Sequence, residues 1–314
     1  MGNKNKFQKW SIQNMESLNG RVVIVTGANS GLGYHTSKAL ALQGARLIMA
    51  CRNLEKGEEA RNLIMQEKPE HKPELWMLDL ASLDAVRAFS SKFKANFKHL
   101  DLLINNAGLM AIPYARTADG FEMQFGVNHL GHFALTALLW DQISKVAHSR
   151  IVTVSSAAHH IGRIRFEDIH WEKKYSKWGA YGMSKLSNLL FTSELARRLK
   201  GAGLPDLALA SHPGYASTEL QTKAAKMRGS NLGVASFGLA NRLVAQSAEN
   251  GALPTLYAAT SEQVRQGAYY GPDGFLRLAG WPAPDTPNKR RVTDEVAEKL
   301  WKLSEQLTGC KIPV

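Results

Sequence analysis

The chain has 314 residues, 44% of them hydrophobic, which is enough for a sizeable core and excludes global disorder. Lys and Arg total 39 against 27 Asp and Glu, a formal charge of +12, but the basic residues are spread along the chain without zinc-finger spacing or an RNA-binding aromatic pattern. That pattern argues against nucleic acid and for a solvated surface that also attracts an anionic cofactor. No apolar run reaches the roughly 18 residues that a membrane-spanning helix needs, and the polar, basic start MGNKNKFQKW lacks a secretory signal. Lys6 stands where N-myristoylation wants Ser or Thr. Only Cys51 and Cys310 are present, with no C-x-x-C, so a cytoplasmic, reducing compartment is expected.

Residues 1–17 read as an extension. A β-branched run, Val22–Val25, then leads into Thr26-Gly27-Ala28-Asn29-Ser30-Gly31-Leu32-Gly33 and a helical pattern near Tyr34–Gln43. Glycines there allow a tight turn and close approach to a pyrophosphate, which the following helix N-terminus attracts with its unpaired N–H groups. Further strand-like runs are Leu47–Ala50, Leu75–Leu78, Leu102–Ile104, Ile151–Val154 and Leu207–Ala210, with a seventh around Ala268–Tyr270. Helical patterns lie near Glu55–Glu67, Leu83–Phe93, Phe121–Ile143 and Tyr181–Leu199. Nearly continuous apolar strands alternating with helices predict a doubly wound α/β fold, a mostly parallel sheet of seven strands covered on both faces. No linker divides the chain, so residues 18–314 form one expected domain. Residues 215–249, rich in Ala, Ser and Gly, are expected to be a substrate lid.

Tyr181-Gly182-Met183-Ser184-Lys185 opens the fifth helical pattern, and i and i+4 share a helix face. A proton donor therefore sits beside a fixed cation. Four histidines, His129, His132, His159 and His160, lack carboxylate or cysteine partners at metal-ligand spacing and read as core or loop residues.

These motifs together resemble the short-chain dehydrogenase/reductase family. The glycine spacing G-x-x-x-G-x-G, Asn105-Asn106-Ala107-Gly108, Asn128, Ser155-Ser156, Tyr181-x-x-x-Lys185, and Pro213-Gly214 with Thr218 occur in the family's order, each at the expected strand end. ACRNLEKGEEA, VSSAAHHIGRI, AYYGPDG and LWKLSEQLTG further resemble the retinol-dehydrogenase-like branch, although an N-terminal membrane anchor common there is not seen. The resemblance implies a Rossmann-type sheet and hydride transfer between a nicotinamide and a carbonyl or alcohol of a lipophilic substrate. It assigns catalysis to Asn128, Ser156, Tyr181 and Lys185, with Ser156, the second serine of its pair, holding the substrate oxygen. Lys185 would lower the pKa of Tyr181 and bond the nicotinamide ribose, and Asn128 would anchor a water-mediated proton relay.

The implied cofactor contacts are Gly27, Asn29, Ser30, Gly31, Leu32, Gly33, Arg52, Asp79, Leu80, Asn106, Ala107, Gly108, Tyr181, Lys185, Pro213, Gly214 and Thr218. At the end of strand two the acidic residue that favours NAD is replaced by Cys51, and Arg52 follows, so NADP(H) is expected. Thr26 and Asn105 read as ties between the central strands. No metal is called for. Contact with a membrane surface, and a homodimer or homotetramer, stay open. The competing readings are a protochlorophyllide-reductase-like enzyme, against which NNAG counts, and a non-catalytic NADP-binding regulatory protein, against which the intact Asn-Ser-Tyr-Lys set counts.

Overall fold

A computed structural model describes residues 9–215 and 247–314. Alternation along the first strand, β1 (Val22–Thr26), sets the layering. Val22 and Ile24 face one apolar layer and Val23 and Val25 the other, all four buried. A strand apolar on both faces is stable only between two helical layers. The following elements supply them: α1 (Gly31–Leu42), β2 (Arg46–Cys51), α2 (Leu54–Gln66), β3 (Glu74–Met77), α3 (Leu83–Asn96) and β4 (Leu102–Asn105).

The expected long helix over Phe121–Ile143 is instead broken into four pieces. These are α4 (Met123–Phe125), a π-helical turn (Gly126–Leu130), α5 (Gly131–Leu138) and α6 (Trp140–Ile143). β5 (Arg150–Val154), α7 (Lys177–Gly201) and β6 (Leu207–Ser211) follow. Ser176 caps α7, its hydroxyl accepting from the Gly179 amide at 3.2 Å. Beyond the gap come α8 (Ala248–Thr260), β7 (Tyr269–Pro272), β8 (Pro282–Asp285) and α9 (Asp294–Thr308).

Among the described residues the sheet has eight strands in the order β3-β2-β1-β4-β5-β6-β7-β8. The eighth, not expected from sequence, pairs antiparallel with β7 from Tyr269–Asp285 to Pro272–Pro282. Proline at both of its first and third positions hides it from pattern reading, because proline is depleted in strands and confined to edges. Helices α8 and α9 were also missed. The latter carries Leu300 and Trp301 into the layer that contains Phe133 and Phe191, where Trp301 stacks on Phe191 at 5.8 Å. Part of the supposed N-terminal extension belongs to the fold: Trp10 meets Tyr257 of α8 edge-on at 5.4 Å, and Met15 is buried. Strand order reverses direction between β1 and β4, the switch point where crevices form above the strand C-termini. Among the described residues, no helix is long and apolar enough to cross a membrane.

Candidate active site

A cavity of about 670 Å³ opens above the C-terminal ends of the strands and runs from Arg52 at one end to Tyr181 and Lys185 at the other. Its floor is backbone. The Thr26 hydroxyl accepts from the amides of Asn106 and Ala107, each at 2.9 Å, and the Asn106 side chain donates to the Thr26 carbonyl at 2.7 Å. This ties the ends of β1 and β4 together, the structural role expected of Thr26. Asn105 reaches Thr136 at 3.3 Å instead.

Two glycines make the turn possible. Gly27 has φ +65°, a left-handed conformation, and a Cβ at Gly33 would stand 2.1 Å from the Gly27 carbonyl oxygen. Gly27, Asn29, Ser30, Gly31, Leu32 and Gly33 all line the cavity at the start of α1. A bare helix N-terminus with close backbone approach fits a pyrophosphate. At Gly108 a Cβ would lie 3.2 Å from Asn128 Oδ1 and 3.4 Å from Lys185 Nζ, so its absence keeps this part of the cavity open.

At the far end Cys51, Arg52, Asn53 and Lys56 line the wall together with Asp79 and Leu80. Burial pushes the Cys51 thiol up to about 11, so it is neutral near pH 7 and places no negative charge where an acidic residue would otherwise stand. Arg52 is exposed, two residues before α2. Lys56, in the first turn of α2, adds a second cation that no local sequence signal marked out. The nucleotide-sized cradle and its cationic end fit a phosphorylated dinucleotide.

At the near end Tyr181 and Lys185 are 6% and 4% exposed, and the ammonium sits 5.9 Å from the phenol ring centroid. Lys185 donates to the Val154 carbonyl at 3.0 Å, and burial lowers its pKa to about 8. Burial raises the pKa of the Tyr181 phenol, and Ser156 pulls it back. Ser156 also caps a short 3-10 turn by accepting from the Ala158 amide at 3.2 Å. Ser155 points elsewhere, donating to the Lys185 carbonyl at 2.8 Å.

Asn128 lies in the π-helical turn. Its amide accepts from the Leu109 N–H at 2.7 Å and donates to the Leu109 carbonyl at 2.9 Å and to Ser184 at 2.8 Å. Ser184 donates in turn to the Tyr181 carbonyl at 2.8 Å. The carbonyl of Asn128 takes a hydrogen bond from His132 Nδ1 at 3.0 Å. That tautomer leaves Nε2 as the acceptor for the Thr26 hydroxyl, 2.9 Å away. His132 therefore joins the glycine turn to Asn128, a link that a reading of it as a plain core histidine does not contain. Burial lowers it to about 4 and its neighbour His129, which bonds Ser304 at 2.9 Å, to about 3. His159 is buried beside Tyr269, while His160 is exposed.

Pro213 and Gly214 border the cavity, as do Trp178, Arg277 and Leu278, which nothing in the local sequence marked out. Thr218 and nearly all of the expected lid at 215–249 lie outside the described residues.

Residues 21–229 match the model of the short chain dehydrogenase family. The chain belongs to that family. Within it, human retinol dehydrogenase 13 is 44% identical over 300 residues, covering 95% of this chain and 87% of the relative. Human retinol dehydrogenase 12 is 42% identical, covering 94% and 88%. A crystal structure of an uncharacterized protein from Mycobacterium paratuberculosis, 43% identical, superposes with a TM-score of 0.80 over 98% of this chain and all (100%) of that one. This short-chain dehydrogenase is thus an oxidoreductase of retinol-dehydrogenase-like type, from a family that uses a nicotinamide cofactor.

Proposed function

We propose that this short-chain dehydrogenase uses NADP(H) to interconvert a carbonyl and an alcohol on a lipophilic substrate. The observation that carries the reading is the single cavity that joins the cationic pair Arg52 and Lys56 to the buried Tyr181. The bound nicotinamide supplies the hydride. Gly27 to Gly33 and the α1 N-terminus hold its pyrophosphate, Asp79 and Leu80 border the adenine, and Arg52 pairs with the 2′-phosphate beside an uncharged Cys51. Asn106, Ala107, Gly108, Pro213 and Gly214 line the remaining length.

Tyr181 gives its proton to the substrate oxygen, which Ser156 holds by hydrogen bond. Ser156 already lowers the phenol's pKa, so it favours the tyrosinate left behind. Lys185 keeps a positive charge near that tyrosinate and offers its ammonium to the ribose. Asn128 positions the Leu109 backbone and, through Ser184, the first turn of α7; its remaining acceptor capacity anchors the water relay that returns the proton. Trp178, Met110, Ile112, Val127 and Leu278 give the mouth its apolar lining, which suits a lipophilic substrate. The two free, buried cysteines fit a reducing, cytoplasmic setting.

Fluorescence titration with NADPH and NADH, followed by a screen of aldehydes, ketones and alcohols, tests this reading. Tighter binding of NADPH and turnover of an apolar carbonyl are expected. Equal or reversed nucleotide affinities would remove the NADP assignment, and tight NADPH binding without turnover of any carbonyl would favour a regulatory NADP-binding protein.

A further inference from the structure

His212 sits between the cavity-lining Pro213–Gly214 turn and the unexpected strand β8. The ring is 2% exposed. The Gly214 amide donates to its Nδ1 at 3.2 Å, and Nε2 lies 2.8 Å from Asp285 Oδ2. A backbone N–H can only donate, so Nδ1 carries the lone pair and Nε2 carries the hydrogen that Asp285 accepts. Asp285 is held by three further groups: its own strand, the Thr286 amide at 2.7 Å, and Arg277 of the cavity wall, 3.6 Å away.

The ring has a built seat. Gly271 of β7 lies beneath it, and a Cβ there would stand 1.8 Å from Nε2. Tyr269 packs against the ring with centroids 5.0 Å apart. The same turn is fastened a second time where the Tyr215 amide donates to the Leu278 carbonyl at 2.8 Å. The partners outside the turn itself come from the β7–β8 hairpin, about sixty or more residues away in the chain, and they add to the β6–β7 pairing, which ends where the His212 N–H donates to the Tyr270 carbonyl at 2.9 Å.

We infer that His212 is a positioning residue: by accepting from the Gly214 amide while anchored on Asp285, it fixes the Pro213–Gly214 turn against the Tyr181 end of the cavity, where the nicotinamide half of the cofactor is read to lie. This rests on the nicotinamide-dinucleotide reading above. The adenosine half, at the Arg52 end, does not touch this turn. A loosened turn has to be ordered on binding, which costs affinity only for a ligand that reaches it.

The test compares two ligands on two variants. NADPH spans the cavity, whereas 2′,5′-ADP fills only the Arg52 end. His212→Gln can still donate to Asp285 but offers no acceptor at the Nδ1 position; His212→Asn offers an amide oxygen there. The Gln variant should bind NADPH about tenfold more weakly and 2′,5′-ADP within about twofold of wild type, with the Asn variant recovering most of the loss. NADPH affinity unchanged in His212→Gln, an equal loss for both ligands, or no recovery in His212→Asn would overturn the inference. If His212→Gln does not fold, Gly271→Ala, which unseats the ring, must show the same selective loss, and its absence counts against the inference equally. If wild type prefers NADH, the NADP assignment fails, and NADH with ADP tests His212 in the same way; a wild type that binds no dinucleotide overturns both.

Discussion

The two ends of the cavity are built by opposite means. At the phosphate end the working parts are missing side chains: Gly27 and Gly33 let backbone meet backbone, and from Gly27 to Gly33 the turn carries no titratable group. At the Tyr181 end the working parts are buried side chains, with Asn128 fully buried and His132 and Lys185 nearly so. A glycine turn functions through local geometry that any close neighbour would spoil. The Tyr181 end is held by hydrogen bonds between elements far apart in the chain, because buried polar groups are costly unless each is satisfied.

The largest expected effect sharpens this contrast at the phenol. Tyr181→Phe should cost turnover about 10²–10⁴-fold, the range for loss of a positioned acid, and leave NADPH affinity near wild type. The ring keeps its volume and its edge contact with Trp178, so stability should hold. A Phe variant that turns over a good substrate at close to the wild-type rate would mean that Tyr181 is not the acid.

Next comes pH. Burial holds His129 at about 3 and His132 at about 4, below the ordinary value of 6.5. The unfolded chain therefore takes up protons that the folded one refuses as pH falls below about 6.5. Their stabilisation is fully present above that pH and is lost progressively below it, together by about 4 kcal/mol at pH 5. Urea unfolding at pH 7.5 and 5.0 measures it. Equal stabilities would show that these rings are not held neutral.

A substitution at the other end should act on binding rather than titration. In Gly33→Ala the new methyl meets the Gly27 carbonyl, a backbone atom that cannot swing away. NADPH affinity should fall about a hundredfold, with the loss insensitive to pH between 6 and 8. Unchanged affinity by titration would show that this turn is not the phosphate cradle. The smallest effect is expected at exposed Arg52, where solvent screens the contact. Arg52→Ala should weaken NADPH about tenfold and NADH hardly at all. Equal loss for both nucleotides would move the 2′-phosphate contact elsewhere, with Lys56 the neighbouring cation on the cavity wall.

Much of this was legible in the chain because the signals are local. A strand, a glycine turn and a helix occupy consecutive residues, and Tyr181 and Lys185 are four apart on one helix. The parallel sheet followed from apolar runs alternating with helical periodicity. The same periodicity misled at Phe121–Ile143, where apolar spacing cannot distinguish a straight helix from one opened by a π-helical turn at Asn128. Strand β8, with two prolines in four residues, carried no strand signal at all.

The sequence by itself determined the fold class, the glycine turn and the identity of the Tyr181 and Lys185 pair, because each rests on spacing within a few residues. Only the tertiary structure decided that burial and Ser156 act in opposite directions on the phenol's pKa, that His132 joins Thr26 to Asn128, and that Arg277 and Leu278 enter the cavity wall. Those outcomes depend on burial and on partners brought together by chain segments far apart. Desolvation and long-range hydrogen bonding exist only once the core has closed.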